Sequence, residues 1–433
     1  MSEPTGSQRD AASAIFNLPD YRVLDAVDED DGVRRIDVES TALPGCPQCG
    51  VLAARVHSRR RQRLRDLPVA GPTELVWVKR RWFCDQGRCP RTTFSEVTDQ
   101  VPAFARSTAR LCQELIAAVV VSGRAASEVA RAHRVSWWLV QSMLSAAADL
   151  LTDPDLIPVR RLGIDEHRYR SVRYFREPDG SWRRYEPWMT ILVDADTGRV
   201  LGVVDGRDSA GVGTWLKARS QAWRDAVEVV AIDPSAAFRK ALREHLPHAA
   251  VSVDPFHLVK LANDMLTHVR QRVVRDRKGR RGRSVDPAWT NRRLLLRAGS
   301  TLSPAALSPA ALARLKATLR ADDPTDEIGA AWGVKEQLRQ LLTSGSLADA
   351  HENKMLLGTY VLAAGMPETD RLWATITAWW DAIEVLIVTG VTNARTEAAN
   401  TGIKQIKRTG RGYRNPANYR ARILLASAAR TAA

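Results

Sequence analysis

Apolar and polar positions alternate with a period of two in the first part of the chain. Tyr21, Val23 and Val27 lead into an acidic turn, Asp28 to Gly32, and Val33, Ile36 and Val38 follow, which predicts a hairpin over residues 21–38. The alternation returns at Leu75 to Phe83, a second strand-like run. From residue 107 the spacing becomes helical, predicting a helix over 107–121 that opens on Ser107 as N-cap and is broken at Gly123. A short helix from Ala126, a tight turn before Ser136 and a second helix through Val140 and Leu144 complete a helix-turn-helix pattern.

After residue 160 the period changes again. Leu162-Gly163-Ile164-Asp165 reads as a short strand ending in an acid, and a hairpin follows, Trp188 to Asp194, the turn Ala195 to Gly198, and Val200 to Val204. A helix over about Ala210 to Trp223, a strand Val227 to Ile232 ending in Asp233, a helix Ala236 to Leu246 and a strand Val251 to Val253 ending in Asp254 come next. Three strands, a helix, a strand, a helix and a strand is the order of the ribonuclease-H-like fold, in which the first and fourth strands are neighbours. Asp165 and Asp233 are therefore expected to meet.

Between Asp254 and Glu397 lie 142 residues that read mainly as helix, with Trp332, Trp373, Trp379 and Trp380 as helical core. Arg270 to Arg283 packs eight basic residues into 14 positions and contains Gly279 and Gly282; it reads as a mobile phosphate-binding loop, or as a solvated linker. Ser300 to Ala311, with its Ser-Pro steps, reads as a junction between helices. The expected fold class is multidomain α/β: an N-terminal hairpin region (1–42), a β-rich zinc ribbon (43–100), a helix-turn-helix (101–155) and a ribonuclease-H-like domain (156–433) with a helical insertion over about 262–385.

Charge narrows the partners. The 433 residues carry 64 Lys and Arg against 49 Asp and Glu, a formal +15, which favours a polyanion because each neutralised phosphate releases condensed counterions. Met1 to Asp10 is polar and lacks an apolar core of signal-peptide length, and Leu115 to Val121 is too short to span a bilayer. A cytoplasmic protein with no membrane partner is expected, so its five cysteines call for something other than structural disulfides.

Four of them fall in two knuckles, Cys46-Pro-Gln-Cys49-Gly and Cys84 to Cys89, with 34 residues between. Two tight turns that each offer a pair of thiolates suit tetrahedral zinc, so Cys46, Cys49, Cys84 and Cys89 are expected to hold structural Zn²⁺. Cys112, in an apolar helical run, reads as core. The loop between the knuckles carries His57, Arg59, Arg60, Arg61, Arg63 and Arg65, either phosphate contacts or a solvated face. In the helix-turn-helix, Trp137, Trp138 and Gln141 are expected near the major-groove entry face; the alternative is plain three-helix packing with both tryptophans in the core.

Two carboxylates as close as Asp165 and Asp233 are expected to be repel each other unless cations lie between them, and hard cations, Mg²⁺ or Mn²⁺, fit such oxygen donors. Glu397, Asn400 and Lys404 share one helix face, which points a third acid at the metals and a base at phosphate; Lys407 and Arg408 extend the basic side. Asp254 and His257, three apart at a strand-to-helix junction, orient substrate or brace the site, or simply cap the helix. Glu166, Asp194 and Asp196 are acids easily mistaken for ligands, and Asp196-Thr197-Gly198 reads as turn chemistry.

From about Tyr21 to Leu425 the chain resembles bacterial insertion-sequence transposases of the IS-L-three family. The resemblance is carried by both knuckles with Pro90 and Thr93-Phe94, Gly163-Ile164-Asp165-Glu166, Ile232-Asp233-Pro234-Ser235, Asp254-Pro-Phe-His257, the Asn393 to Lys407 block, and the ending from Gly412 through Leu424. It implies a catalytic triad of Asp165, Asp233 and Glu397, and a sequence-specific grip on terminal inverted repeats by the N-terminal modules. One departure is Arg168 to Pro187, rich in Arg and Tyr and longer than the family's usual first hairpin. The expected activity is metal-dependent DNA cleavage and strand transfer. Its expected partner is double-stranded DNA, both element ends and target, bound by a dimer or larger complex in a bacterial, nucleoid-associated setting. The rivals are a catalytically inactive zinc-ribbon/helix-turn-helix regulator and a ribonuclease-H-type nuclease.

Overall fold

The computed structural model describes residues 10–30, 32–69, 71–299 and 307–432, and its chain divides into two compact units. Most of Ser300 to Ala311, and all but the last residue of Met1 to Asp10, lie outside the described residues.

The first unit comprises residues up to Leu151 together with Thr409–Arg411 and Asn415–Ala429. After α1 (Ala11–Phe16), strands β1 (Tyr21–Asp28) and β2 (Arg34–Ser40) form the expected antiparallel hairpin. Beyond them run β3 (Val56–Leu64), β4 (Thr73–Phe83) and β5 (Thr93–Ser95). The sheet order is β1-β2-β4-β3 with β5 also on β4, and β2 lies parallel to β4, so the hairpin and the strands between the knuckles share one sheet. Inward-facing Tyr21, Ile36, Val38, Leu75 and Trp77 are buried together, the outcome of period-two alternation on one covered face. Buried Glu96 ties this sheet together: it accepts from Arg80 Nε at 3.0 Å, Ser40 Oγ at 2.9 Å and Trp82 Nε1 at 3.2 Å.

Three helices follow, α2 (Ala109–Val120), α3 (Ala126–Ala132) and α4 (Trp137–Asp149). The N-cap of α2 is Thr108 rather than Ser107; its hydroxyl is held by buried Asp66 at 2.5 Å, a partner 42 residues away. Helix α4 starts where expected, and Ser136 is its N-cap. Leu111, Leu115, Val129, Val140 and Leu144 close their core, joined by Leu425 from the helix Pro416–Thr431.

The second unit is built on β6 (Arg161–Arg168), an exposed two-stranded ribbon of β7 (Arg173–Arg176) and β8 (Trp182–Tyr185), then β9 (Trp188–Asp194) and β10 (Val200–Asp205). Next come α5 (Ser209–Lys217), α6 (Gln221–Ala226), β11 (Val229–Ile232), α7 (Ala236–His245) and β12 (Ala250–Val253). The single helix expected over 210–223 is two helices, because Ser220 turns the chain and caps the second one through Trp223 N. The five-stranded sheet has the order β10-β9-β6-β11-β12; β9 is antiparallel to β6 and to β10, while β6, β11 and β12 run parallel. The first and fourth strands of this sheet are thus neighbours, as expected. Strand β6 does not stop at Asp165: its pairing with β9 continues to Arg168 opposite Trp188.

Helices fill the rest of the unit: α8 (Pro255–Lys278), α9 (Pro287–Thr290), α10 (Arg292–Leu296), α11 (Pro309–Asp322), α12 (Glu327–Leu342), α13 (Leu347–Ala364), α14 (Pro367–Ala378), α15 (Trp380–Thr389) and α16 (Ala394–Thr409). Trp379 is buried, and Trp332, Trp373 and Trp380 pack against the same core, as expected.

The basic run 270–283 corrects the sequence reading. Most of it is the last turns of α8, not a loop, and Gly279 with φ 60° ends that helix in the left-handed conformation. Its charges are largely engaged within the unit. Arg272 bonds Glu368 at 2.9 Å and Glu327 at 2.7 Å, Lys278 bonds Asp286 at 2.8 Å and Asp322 at 2.9 Å, and Arg270 is buried. No single helix among the described residues is long and apolar enough to cross a membrane, although the bent pair α14 and α15 passes that test jointly on length and composition.

Candidate active site and metal centres

Parallel pairing of β6 and β11 sets Ile164 opposite Ile232, so the acids that follow, Asp165 and Asp233, emerge side by side at the same end of the sheet. Carboxylate oxygens of Asp165, Glu166 and Asp233 lie within 4.8 Å of one another. Glu166, which the sequence reading sets aside, is therefore part of the cluster. Alternation alone would send it to the opposite side of β6 from Asp165, which is why its participation is not legible in the strand pattern.

Burial, then the neighbouring Asp165 charge, pushes the Asp233 carboxyl up to about 7. Burial likewise raises Asp165 and Glu166. These directions mark a site in which negative charge is costly until a cation offsets it.

Helix α16 closes over this end. Buried Asn400 donates to Asp165 from Nδ2. Asn393, just before the helix, donates from Nδ2 to the Ile164 carbonyl at 3.1 Å and to Asp233 at 3.3 Å, and its backbone N–H donates to Asp254 at 3.3 Å. Asn393 is not among the residues singled out by sequence; the signal for it is its place at the head of the Asn393 to Lys407 block. The close approach of α16 requires Gly163: a Cβ there would overlap Thr396 Oγ1 and meet Asn393 Oδ1 at 3.1 Å.

Glu397 stands in the first turn of α16, and its carboxylate lies within 4.8 Å of ligand atoms of both Asp254 and His257. His257 joins the two groups of acids, with Nε2 3.0 Å from Asp233 and Nδ1 3.1 Å from Asp254. Asp254 also caps α8 by accepting from His257 N at 3.2 Å, so capping and bracing are the same geometry. The hydrogen bond to Asp254 chiefly raises the His257 pKa, while burial, followed by the Asp254 charge, raises that of Glu397. Asp194 belongs to its turn, accepting from Thr197 Oγ1 and from Asp196 N.

The donor set suits a hard divalent cation: the oxygens of Asp165, Glu166 and Asp233 converge, and the buried Asn393 and Asn400 leave their side-chain oxygens without donors. The four knuckle cysteines pass the corresponding test for zinc. Sulfur atoms of Cys46, Cys49, Cys84 and Cys89 lie within 4.8 Å of one another, and those of Cys49 and Cys84 are 3.6 Å apart. Backbone bonds shape each knuckle, Gly50 N to Cys46 O at 2.8 Å and Cys89 N to Gln86 O at 3.0 Å. Cys112 is half-buried on α2.

Of the basic residues expected on nucleic acid, Arg59, Arg60 and Arg61 are exposed on β3, an edge strand and not a loop, and Arg61 pairs with Asp37. Lys404 and Arg408 are exposed on α16, whereas Lys407 donates to the Arg168 carbonyl at 2.8 Å. Trp137 and Trp138 are exposed on α4, as expected of an entry face and not as core, whereas Gln141 is only 7% exposed and faces inward.

Residues 162–423 match a family profile described as transposase, of the IS-L-three group, and residues 42–89 match one described as the zinc-finger of transposase IS204/IS1001/IS1096/IS1165. The chain is 24% identical over 249 residues to the transposase for insertion sequence element IS1001 of Bordetella parapertussis, covering 54% of this chain and 55% of that protein. It is 26% identical over 276 residues to the transposase for insertion sequence element IS1557 of Mycobacterium tuberculosis, covering 60% and 58%. The matches thus span a little over half the length of these relatives. A solved structure titled Drosophila P element transposase strand transfer complex overlays at a TM-score of 0.36 with 11% identity, over 73% of this chain and 91% of that one, too loosely to carry over any detail. Because the first profile takes in more than half of the sequence, and with it β11, α16 and the acids Asp165, Glu166, Asp233, Asp254 and Glu397, the chain belongs to the IS-L-three family of transposases.

Proposed function

We propose that this protein moves an insertion sequence, binding double-stranded DNA at the element's terminal inverted repeats, cutting there and joining the freed ends to target DNA. The observation that carries the reading is the convergence of Asp165, Glu166 and Asp233 within 4.8 Å at the ends of adjacent parallel strands. In this reading the second unit is a ribonuclease-H-like domain, and Asp165, Asp233 and Glu397 are its catalytic acids. Bound Mg²⁺ or Mn²⁺ supplies the charge stabilisation that an in-line phosphoryl displacement needs.

The chain's own groups do the rest. Asp165 and Asp233 hold the cation and are themselves held by Asn400 and Asn393. Glu397 brings the third acid on the same helix that exposes Lys404 toward phosphate. His257 fixes the Asp233 carboxylate against Asp254. In the first unit, Zn²⁺ on the four cysteines rigidifies the ribbon, α3 and α4 serve as a helix-turn-helix, and the exposed Arg59 and Arg60 contact phosphates. Two ends must be brought together, which calls for a dimer or larger assembly on DNA.

The test uses purified protein, Mg²⁺ and a labelled duplex from the repeats flanking the gene, beside Asp233→Ala. Cleavage at the repeat boundary by wild type alone is the expected result. Equal cleavage by both proteins would remove the acid cluster from the mechanism, and binding without cleavage by wild type would favour a DNA-binding regulator.

A further inference from the structure

The ribbon of β7 and β8 has no part in the chemistry above, yet it is built from unusual material. All eight of its strand residues are exposed. Pairing sets Arg173 opposite Tyr185 and Phe175 opposite Arg183 on one face, and Tyr174 opposite Arg184 and Arg176 opposite Trp182 on the other. Each face therefore presents two aromatic rings and two arginines. On the first, the rings of Phe175 and Tyr185 are 6.1 Å apart and the Arg183 guanidinium lies 5.3 Å from the Phe175 centroid.

A lone two-stranded ribbon is marginal in water unless a face is covered. Here Trp182 is 66% exposed and Tyr174 is 60% exposed, so these rings do not serve a core. Arg183 and Arg184 are neutralised by Glu177 and Glu186, whereas Arg173 and Arg176 have no carboxylate partner among the described residues. Free guanidinium groups interleaved with bare rings match a polyanion that also offers flat apolar faces, which is nucleic acid.

Placement narrows the choice. The ribbon leaves β6 just beyond Asp165 and Glu166, and returns as β9, so it springs from the acid-bearing end of the sheet. Its base is anchored there by Lys407 to the Arg168 carbonyl at 2.8 Å and by Arg170 Nε to the Tyr413 carbonyl at 3.0 Å. In a duplex the base faces are stacked away and only edges are reachable in the grooves. Rings on both faces of the ribbon call for bases whose faces are open.

We propose that the β7–β8 ribbon binds an unpaired DNA strand beside the acid cluster, stacking bases on Tyr174 and Trp182 while Arg176, on the same face, meets a phosphate. This rests on reading that cluster as a DNA-cutting centre.

The test is fluorescence anisotropy on the full chain without added Mg²⁺, comparing a blunt duplex with the same duplex carrying an unpaired tail. Wild type is expected to prefer the tailed probe. Tyr174→Ala with Trp182→Ala should weaken tailed binding about tenfold, the size of losing one or two stacked bases, and leave blunt binding within about twofold. Trp182→Phe, which keeps a ring, should retain the preference. Equal binding of both probes by wild type, or equal loss on both probes in the double variant, overturns the proposal. Cleavage with Mg²⁺ is scored separately: tail preference without cleavage leaves the ribbon standing and removes the cutting centre, and cleavage without tail preference does the reverse.

Discussion

Asn393 sets the spacing of the acid cluster, since one buried amide reaches the ends of β6 and β11 while its backbone N–H reaches Asp254. Asn393→Ala is expected to lower single-turnover cleavage roughly 10–100-fold, the usual cost of removing a group that orients a metal ligand, with DNA affinity unchanged by anisotropy. Asp233 carries a pH prediction. Its carboxyl is pushed up to about 7, first by burial and then by Asp165, so between the ordinary carboxylate range and that value the folded chain holds a proton that the unfolded chain has released. The stabilising contribution is therefore complete at low pH and is lost as pH rises through about 7. Metal binding requires the ionised form, so calorimetry should show Mg²⁺ affinity rising with pH up to about 7, with proton release. A pH-independent affinity over that range would contradict this assignment.

The relation between elements that matters most is the contact of α16 with β6. Gly163 leaves no side chain where Thr396 Oγ1 sits, so Gly163→Ala should push the helix off the strand. The expected cost is about 1–3 kcal/mol of second-unit stability by denaturant melting, together with loss of cleavage as Glu397 and Asn400 retreat. Adding Thr396→Ala removes the overlapping oxygen and should restore part of both. Failure of the double variant to recover would mean that Gly163 matters for another reason. In the first unit, Glu96 holds Arg80, Ser40 and Trp82 in one buried network, and Glu96→Ala should destabilise the sheet by roughly 3–5 kcal/mol because it strands the Arg80 charge.

For the whole molecule, division into two compact units predicts separable responses to metal. A zinc chelator, or Cys84→Ser, should abolish a melting transition of the first unit and weaken DNA binding, while the transition of the second unit persists. Mg²⁺ should instead raise the second transition alone, and Asp165→Ala should remove that effect. A single transition that responds to both metals would show the units to be one cooperative body.

Local signals were legible wherever the physics is local. Period-two alternation found β1, β2 and β4, helical spacing found α2 and α4, turn chemistry found the β9–β10 hairpin, and paired knuckles found four thiols that do converge. The element order even set β6 beside β11, so Asp165 and Asp233 could be paired from the sequence alone. What the tertiary structure decided depends on partners far away along the chain. Asn400 meets Asp165 across 235 positions and Asn393 meets Asp233 across 160, distances over which no periodicity carries information. The basic run of α8 reads as a free phosphate site until Glu327, Glu368, Asp286 and Asp322 are folded against it. Gln141 looks like a groove contact until packing decides which side of α4 faces inward. A sequence states which groups are present and with what local period; only the folded chain fixes which charges are already neutralised and which remain free for a partner.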